Sequence, residues 1–154
     1  MNIDLLSLDA SEIIQRIKKR ELKASDYMQA CLAQIHRYDP VLKAWANLDE
    51  ESAMIQAAMI DQKEENDEDL KVLPGVPVGI KDIFNTIDLP TQMGSPIWKD
   101  FTPGNDARIV HYLRMANAIF PGKTVTAEFA VHTPGPTRNP HNTNYMAGTS
   151  STGS

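Results

Sequence analysis

LPGVPVGIKDIFNT, residues 73–86, places β-branched residues between proline and glycine. Such a composition is typical of a buried strand bounded by turns. The apolar run at 76–80 predicts a strand that ends where two charged residues, Lys81 and Asp82, begin. This segment therefore supplies one strand of a fold to which the flanking sequence adds further elements.

The segment NDARIVHYLRMANAIF, residues 105–120, follows a Pro-Gly turn and predicts a helix over 105–115. Ile109, Val110 and Leu113 recur at helical spacing and should face the core, while Arg108 and Arg114 should be exposed. The apolar residues AIF that follow resemble a strand. A strand, a crossover helix and a second strand predict an α/β fold with a parallel or mixed sheet.

The N-terminal half predicts helices. Asp9 and Glu12 have the spacing of a capping box, and the helix should extend to about residue 21. Ser25 can cap a second helix, which Pro40 should end. A core-facing stripe runs along that second helix through Tyr27, Met28, Cys31, Leu32, Ile35 and Tyr38.

LKAWANL, residues 42–48, predicts a short buried strand, and 50–63 predicts a third helix. Consecutive acids in EENDED, residues 64–69, splay apart on a turn, which favours a solvated loop over a metal site. We expect a single domain over 1–154, mainly helical at 1–70 and α/β at 71–154. No internal repeat or linker divides the sequence.

Composition limits the classes of function. With 42% hydrophobic and 23% charged residues among 154, the chain is typical of a globular protein. A net charge of -5 argues against a partner that is a nucleic acid or an anionic membrane. One cysteine, Cys31, fits a packed thiol in a reducing compartment. Without a signal-peptide pattern or a span of roughly 18 apolar residues, the sequence predicts a cytoplasmic protein.

Lys81 is the first candidate for chemistry. A lysine at the end of a buried strand is desolvated, which disfavours the ammonium, and a neutral amine is a base. Two alternatives stay open from spacing: Lys81 reaches solvent, or it pairs with Asp82. The histidines at 111, 132 and 141 share no ligand or triad spacing, so we expect each of them to be structural or exposed.

The chain ends in AGTSSTGS, residues 147–154. A phosphate loop of the Walker type requires lysine after its last glycine, whereas Ser154 follows Gly153. A disordered Gly/Ser tail is one alternative, and a loop whose amides and hydroxyls approach a substrate is the other. A serine needs a base before it can attack a carbonyl, and Lys81 is the candidate base.

Several motifs in register resemble the amidase signature family. They are LPGVPVGIKDIFNT, LPTQMGSP, GKT at 122–124, EFA at 128–130, GPTRNPHN at 135–142 and GTSSTGS at 148–154. The resemblance covers about 73–154 closely, and 1–66 is similar to that family's helical N-terminal region. It implies an α/β fold with a mixed β-sheet covered by helices, of which this chain would hold a part.

The resemblance also implies site residues. The family hydrolyses amides with a nucleophilic serine, a second serine in a cis peptide and a lysine. The lysine corresponds to Lys81 and the bridging serine to Ser150, with Gly148, Thr149 and Ser151 as substrate-binding residues. This sequence departs from the family pattern at Thr149, where glycine is usual, and at 152, where threonine replaces glycine or serine.

In that family the nucleophile lies roughly two dozen residues after the bridging serine, which is beyond Ser154. We therefore expect the N-terminal part of an amidase that cleaves a small-molecule amide through an acyl-enzyme, inactive when tested as 154 residues. Two alternatives remain: the glutaminase-type subunit of a tRNA-dependent amidotransferase, and a truncated, non-catalytic binding chain. No metal or organic cofactor is implied, and the partner would be a second copy or the remainder of the amidase chain.

Overall fold

A computed structural model describes residues 4–66, 69–131 and 133–154. These ranges contain both helices and short strands. They are α1 (Ala10–Lys18), α2 (Ala24–Leu42), β1 (Trp45–Leu48), α3 (Glu50–Glu65), β2 (Ile80–Lys81), α4 (Arg108–Met115), β3 (Gly122–Thr124), β4 (Arg138–Asn139) and β5 (Asn142–Met146). Short 3₁₀ turns occupy Leu5–Ser7, Pro96–Trp98 and Glu128–Ala130. None of the described helices combines the length and the apolar character that crossing a membrane requires.

The main sheet is mixed. Its described strands lie in the order β1-β3-β2, with β3 parallel to β2 and antiparallel to β1. The parallel pair is joined through α4, as the strand, helix and strand pattern predicts, so the α/β fold with a mixed sheet is confirmed. A separate antiparallel pair, β4 and β5, lies near the C-terminal end.

The strand predicted at 76–80 is shorter than expected. Val78 N–H donates to Ile119 O at 2.8 Å, and Ile119 N–H donates to Val76 O at 2.9 Å, so this stretch is paired in parallel. Pro77 forms one isolated bridge with Ile119. Both hydrogen bonds of this bridge use the N–H groups of Val78 and Ile119, so Pro77, which has no N–H, is compatible with it. The regular strand β2 begins at Ile80.

The described residues group into two compact units whose segments alternate along the chain. The first unit takes in Met1–Ile35, Glu50–Val78 and Tyr112–Pro121. The second takes in His36–Asp49, Gly79–His111 and Gly122–Ser154. Their borders do not fall at residue 70, and the single domain expected over 1–154 stays a prediction.

The first unit has a helical core. Cys31 packs against this core half-buried, and burial raises the pKa of its thiol, so the thiolate is disfavoured and a packing role fits. Ile35 is also half-buried against the core, whereas Tyr38 is exposed, so the predicted stripe on α2 ends earlier than expected. The buried residues are Ile13, Ile17, Ala24, Tyr27, Met28, Leu32, Ala53, Ala57, Ile60 and Ile119.

The start of α1 is as predicted from the sequence, whereas the start of α2 is not. Asp9 Oδ1 accepts from Glu12 N–H at 2.9 Å, and Glu12 Oε2 accepts from Asp9 N–H at 3.0 Å, which confirms the capping box. The N-terminal amides of α2 are bound by Asp61 of α3, at 2.7 Å from Ala24 N and 3.2 Å from Ser25 N. The predicted cap at Ser25 is therefore wrong, because the Asp61 carboxylate, distant in sequence, already binds the first amides of α2.

Pro40 does not end α2, which continues to Leu42. Proline removes one helical hydrogen bond, but the next turn still closes, with Lys43 N–H donating to Asp39 O at 2.8 Å. The Asp39 carboxylate then accepts from Ala44 N–H at 2.6 Å and Trp45 N–H at 3.3 Å. One side chain thus directs the chain from α2 into β1, which begins at Trp45 rather than at 42.

The predicted faces of α4 are partly wrong. Val110 is fully buried, but Ile109 is 51% exposed. Arg108 is exposed as expected, whereas Arg114 is half-buried with its guanidinium carbon 4.9 Å from the centre of the Phe120 ring. The aliphatic part of an arginine covers apolar surface readily, so Arg114 packs against Phe120 instead of lying exposed.

Candidate active site

Lys81 and Ser150 meet although 69 positions separate them. Lys81 Nζ donates to Ser150 Oγ at 2.8 Å. Ser150 is exposed and Lys81 is half-buried, so this pair is accessible from solvent. The predicted contact between these two side chains is present, and their catalytic roles remain predictions.

The backbone around Lys81 is closely held. Lys81 is the Cα partner of Thr124 in the parallel pair, and Asp82 N–H donates to Thr124 O at 2.9 Å. Directly beyond β2 the chain turns, and Lys81 O accepts from Ile83 N–H at 2.7 Å and Phe84 N–H at 3.0 Å. The lysine therefore leaves a strand end whose carbonyl and following amides are all bonded.

The Gly/Ser-rich loop, residues 147–154, is bound to the backbone that follows β3. Thr126 Oγ1 donates to Ser150 O at 2.9 Å, and Gly153 N–H donates to Val125 O at 2.9 Å. A Cβ at Gly153 would overlap Ala44 O and Val125 N, so the close backbone approach requires glycine there. These contacts favour an ordered loop over a free tail.

The two departures from the family pattern fit this path. Thr152 is 4% exposed, and its Oγ1 donates to Val125 O at 3.3 Å, so its extra methyl and hydroxyl are packed. Thr149 and Ser151 are exposed, as is Gly148, which has φ 143° with nothing near its Cβ position. Among the described residues no peptide bond is cis, so the cis geometry that the resemblance implies at Ser150 is not present.

Lys123 on β3 is a buried lysine that the sequence reasoning missed. Its side chain is 0% exposed, and Nζ donates to Phe84 O at 2.9 Å, Pro90 O at 3.1 Å and Thr91 Oγ1 at 2.7 Å. Lys123 is fully buried, whereas Lys81 is half-buried. The available signal was a lysine that closely follows the apolar run AIF at 118–120.

Asp82 is the ionic partner of Lys123. Its Oδ1 lies 3.3 Å from Lys123 Nζ, and its side chain is 2% exposed. Burial lowers the pKa of Lys123 and raises the pKa of Asp82, and the attraction between the two charges opposes both changes. The Asp82 carboxylate also accepts from the backbone N–H groups of Gln92 and Gly94. The Asp82 carboxylate is therefore bound by the Lys123 ammonium and by backbone amides that follow it in the chain.

A cleft of about 470 Å³ lies within the second unit. Its described lining includes neither Lys81 nor Ser150. One buried wall residue, Ser95, donates from Oγ to Glu128 Oε1 at 2.7 Å. The lining is Trp45, Ala46, Asp82, Gln92, Gly94, Ser95, Pro96, Lys99, Val125, Thr126, Pro134, Gly135 and Pro136.

The remaining candidates add no site. His111 and His141 are exposed, as expected, and His132 lies outside the described residues. The loop expected over 64–69 begins later, because α3 extends to Glu65, and part of it also lies outside the described residues. Across 4–66, 69–131 and 133–154, no group of three or more His, Cys, Asp or Glu side chains is arranged to hold a metal ion.

Comparison with known proteins matches the chain to one family model, Amidase, over residues 26–154. The chain is 36% identical over 159 aligned positions to a glutamyl-tRNA(Gln) amidotransferase subunit of Streptomyces avermitilis, covering 99% of this chain. A peptide amidase of Stenotrophomonas maltophilia matches in structure with a TM-score of 0.90 and 30% identity, covering 98% of this chain. A bacterial aryl acylamidase of the amidase signature enzymes, at 24% identity and a TM-score of 0.88, supports the fold.

These relatives are longer proteins. The chain spans 32% of the length of the Streptomyces avermitilis protein and 34% of the length of the peptide amidase. What is common to them and this chain is therefore the region that contains β1 to β5 and the Gly/Ser-rich loop, together with the preceding helices.

Proposed function

The chain belongs to the amidase signature family, and we propose that it is the N-terminal part of a hydrolase that cleaves carboxamide C–N bonds. The observation that supports this most directly is the 2.8 Å contact between Lys81 Nζ and Ser150 Oγ. A lysine and a serine at hydrogen-bonding distance form a path along which a proton can move. The substrate class would be small-molecule amides.

In the proposed reaction, Lys81 acts as the base in its neutral form. It accepts the proton of Ser150, and Ser150 takes a proton from a nucleophilic serine supplied by residues beyond 154. The nucleophile's oxygen bonds to the amide carbon, and the C–N bond breaks as Ser150 gives a proton to the leaving nitrogen and takes one back from Lys81, which is neutral again. Water then hydrolyses the acyl-enzyme, releasing the acid and restoring the serine.

The surroundings suit these roles. The bonded turn after Lys81 limits where its side chain can reach, and Thr126 holds the backbone of Ser150 through a 2.9 Å hydrogen bond. Holding the groups that exchange a proton at a fixed separation removes an entropic cost from the reaction. Gly148, Thr149 and Ser151 are exposed beside Ser150, and we assign substrate contact to them.

The test uses a chain that extends beyond Ser154 through the family's nucleophile. Lys81→Ala and Ser150→Ala should each lower kcat for amide hydrolysis by about 10²- to 10⁴-fold, since proton transfer is worth that much. Lys71→Ala, which removes an exposed lysine of the first unit, is the matched control and should retain kcat. Ordinary turnover by Lys81→Ala would refute the assignment.

A second candidate is the glutaminase-type subunit of a tRNA-dependent amidotransferase. The identity to amidotransferase subunits from Streptomyces species, 36% and 38%, favours it. The same Lys81 and Ser150 would then release ammonia from glutamine for a partner protein. Affinity purification followed by a glutaminase assay separates the two: a stoichiometric partner that stimulates glutaminase activity supports the amidotransferase, and partner-independent hydrolysis of other amides supports the amidase.

A further inference from the structure

We propose that Lys123 is a positioning residue that holds Lys81 at Ser150. Lys123 does this by binding the loop that follows β2, residues 82–95, from inside the fold. The proposal rests on the proposed function, because it takes Lys81 as the base. It assigns no contact between Lys123 and substrate.

The two lysines lie on opposite faces of the β2–β3 pair. Side chains alternate between faces along a strand, so Lys81 shares a face with its Cα partner Thr124. On that face Thr124 Oγ1 lies 3.3 Å from Ser154 Oγ, beside the Gly/Ser-rich loop. Asp82 and Lys123 occupy the other face, where both are buried. One face thus carries the exposed pair, and the other carries a buried ion pair next to it.

Three oxygens of the loop accept hydrogen bonds from the buried Lys123 ammonium. A lysine has three N–H donors, and Lys123 directs them to Phe84 O, Pro90 O and Thr91 Oγ1. These acceptors lie on the outgoing and the returning part of the loop, so one charge joins both. Thr91 Oγ1 also donates to Phe84 O at 3.2 Å, which closes the network.

A short covalent and hydrogen-bonded path leads from this network to Lys81. Phe84 is bound at both backbone groups: its carbonyl accepts from Lys123, and its N–H donates to Lys81 O. Asp82, directly after Lys81, binds Gln92 N–H at 3.1 Å as well as pairing with Lys123. Loss of the Lys123 ammonium would therefore remove its hydrogen bond to Phe84 O and its ion pair with Asp82, the two contacts through which it holds the residues that follow Lys81.

A gain in folding stability does not readily explain why the fold buries the Lys123–Asp82 pair. Burying two charges is costly, and well-packed apolar side chains of similar volume often serve a core as well or better. An ammonium does what an apolar side chain cannot, because it binds three oxygens at fixed directions. The chemistry therefore favours a role in holding the loop, and with it Lys81, in one geometry.

The test measures Lys81 in the folded 154-residue chain without requiring turnover. The chain is treated briefly with acetic anhydride, and mass spectrometry gives the acetylation of Lys81 relative to exposed Lys71 in the same molecule. In Lys123→Met this ratio should rise about three- to tenfold, the worth of a released side-chain hydrogen bond. Circular dichroism verifies folding. Lys99→Met, which removes an exposed lysine of the second unit, should leave the ratio unchanged.

A milder variant keeps the proposal testable if Lys123→Met does not fold. Thr91→Val removes one acceptor and leaves the ion pair with Asp82, so it should fold and raise the Lys81 ratio by about twofold. An unchanged ratio in either folded variant overturns the positioning role. Because acetylation does not need catalysis, that result leaves the proposed function standing, whereas an active Lys81→Ala enzyme would remove the proposed function and leave this measurement intact.

Discussion

Replacing Lys123 with methionine should destabilise the fold strongly. The variant has a side chain of similar length but leaves the Asp82 carboxylate, 2% exposed, without its partner charge. Breaking a buried pair by removing one partner costs about 3–5 kcal/mol, which is a large share of the roughly 5–15 kcal/mol that stabilises an ordinary domain. The three oxygens that lose their donor contribute to the same loss.

The pH dependence distinguishes an unpaired charge from simple loss of packing. Burial already raises the pKa of Asp82, and without the Lys123 ammonium that pKa should rise further. A carboxyl whose folded pKa is raised binds its proton more tightly in the folded state, so protonation favours folding. The deficit of Lys123→Met should therefore be full above the raised pKa and shrink as the pH falls toward about 4, the ordinary carboxyl pKa.

Urea unfolding followed by circular dichroism, at several pH values, measures the free energies. Asp82→Asn combined with Lys123→Met removes both charges and should recover part of the loss at neutral pH. A double-mutant cycle from the two single variants and the double variant then gives the coupling. A deficit under about 1 kcal/mol, or one independent of pH, would refute the reasoning, since a buried unpaired carboxylate must produce both effects.

Arg114→Ala should lower stability by about 0.5–1 kcal/mol through loss of the contact with an aromatic ring, whereas exposed Arg108→Ala should stay within about 0.5 kcal/mol; equal effects in thermal unfolding would contradict the assigned faces. Asp61→Ala should cost about 1–2 kcal/mol in urea unfolding, because it removes the cap of α2; an unchanged midpoint would show that water replaces this cap. A fluorophosphonate should leave both Ser150 and Ser151 of the 154-residue chain unlabelled, with no amide turnover; a stoichiometric adduct found by mass spectrometry would instead identify a nucleophile activated by lysine.

Local chemistry was enough to predict several elements. The capping box of α1 depends on neighbouring residues, and a parallel strand pair joined by a helix depends on one local pattern. The regular strands β2 and β3 nevertheless begin later than the strands predicted at 76–80 and 118–120. The contact between Lys81 and Ser150 is different, because from spacing Lys81 had two other open alternatives. Resemblance to a family, read from several motifs in order, was needed to connect two residues so distant in sequence.

Other features depend on groups that meet when the chain folds. The cap of α2 comes from Asp61 on another helix, and Pro40 is tolerated because the following turn still closes around Asp39. Burial of Lys123 depends on three oxygens of a loop more than thirty residues earlier in the chain. Periodicity records which face of an element is apolar, but it carries no information on which distant donor or acceptor will satisfy a polar group there. A lysine in an apolar environment is unfavourable until its oxygen partners are in place, and those partners exist as a set in the folded chain.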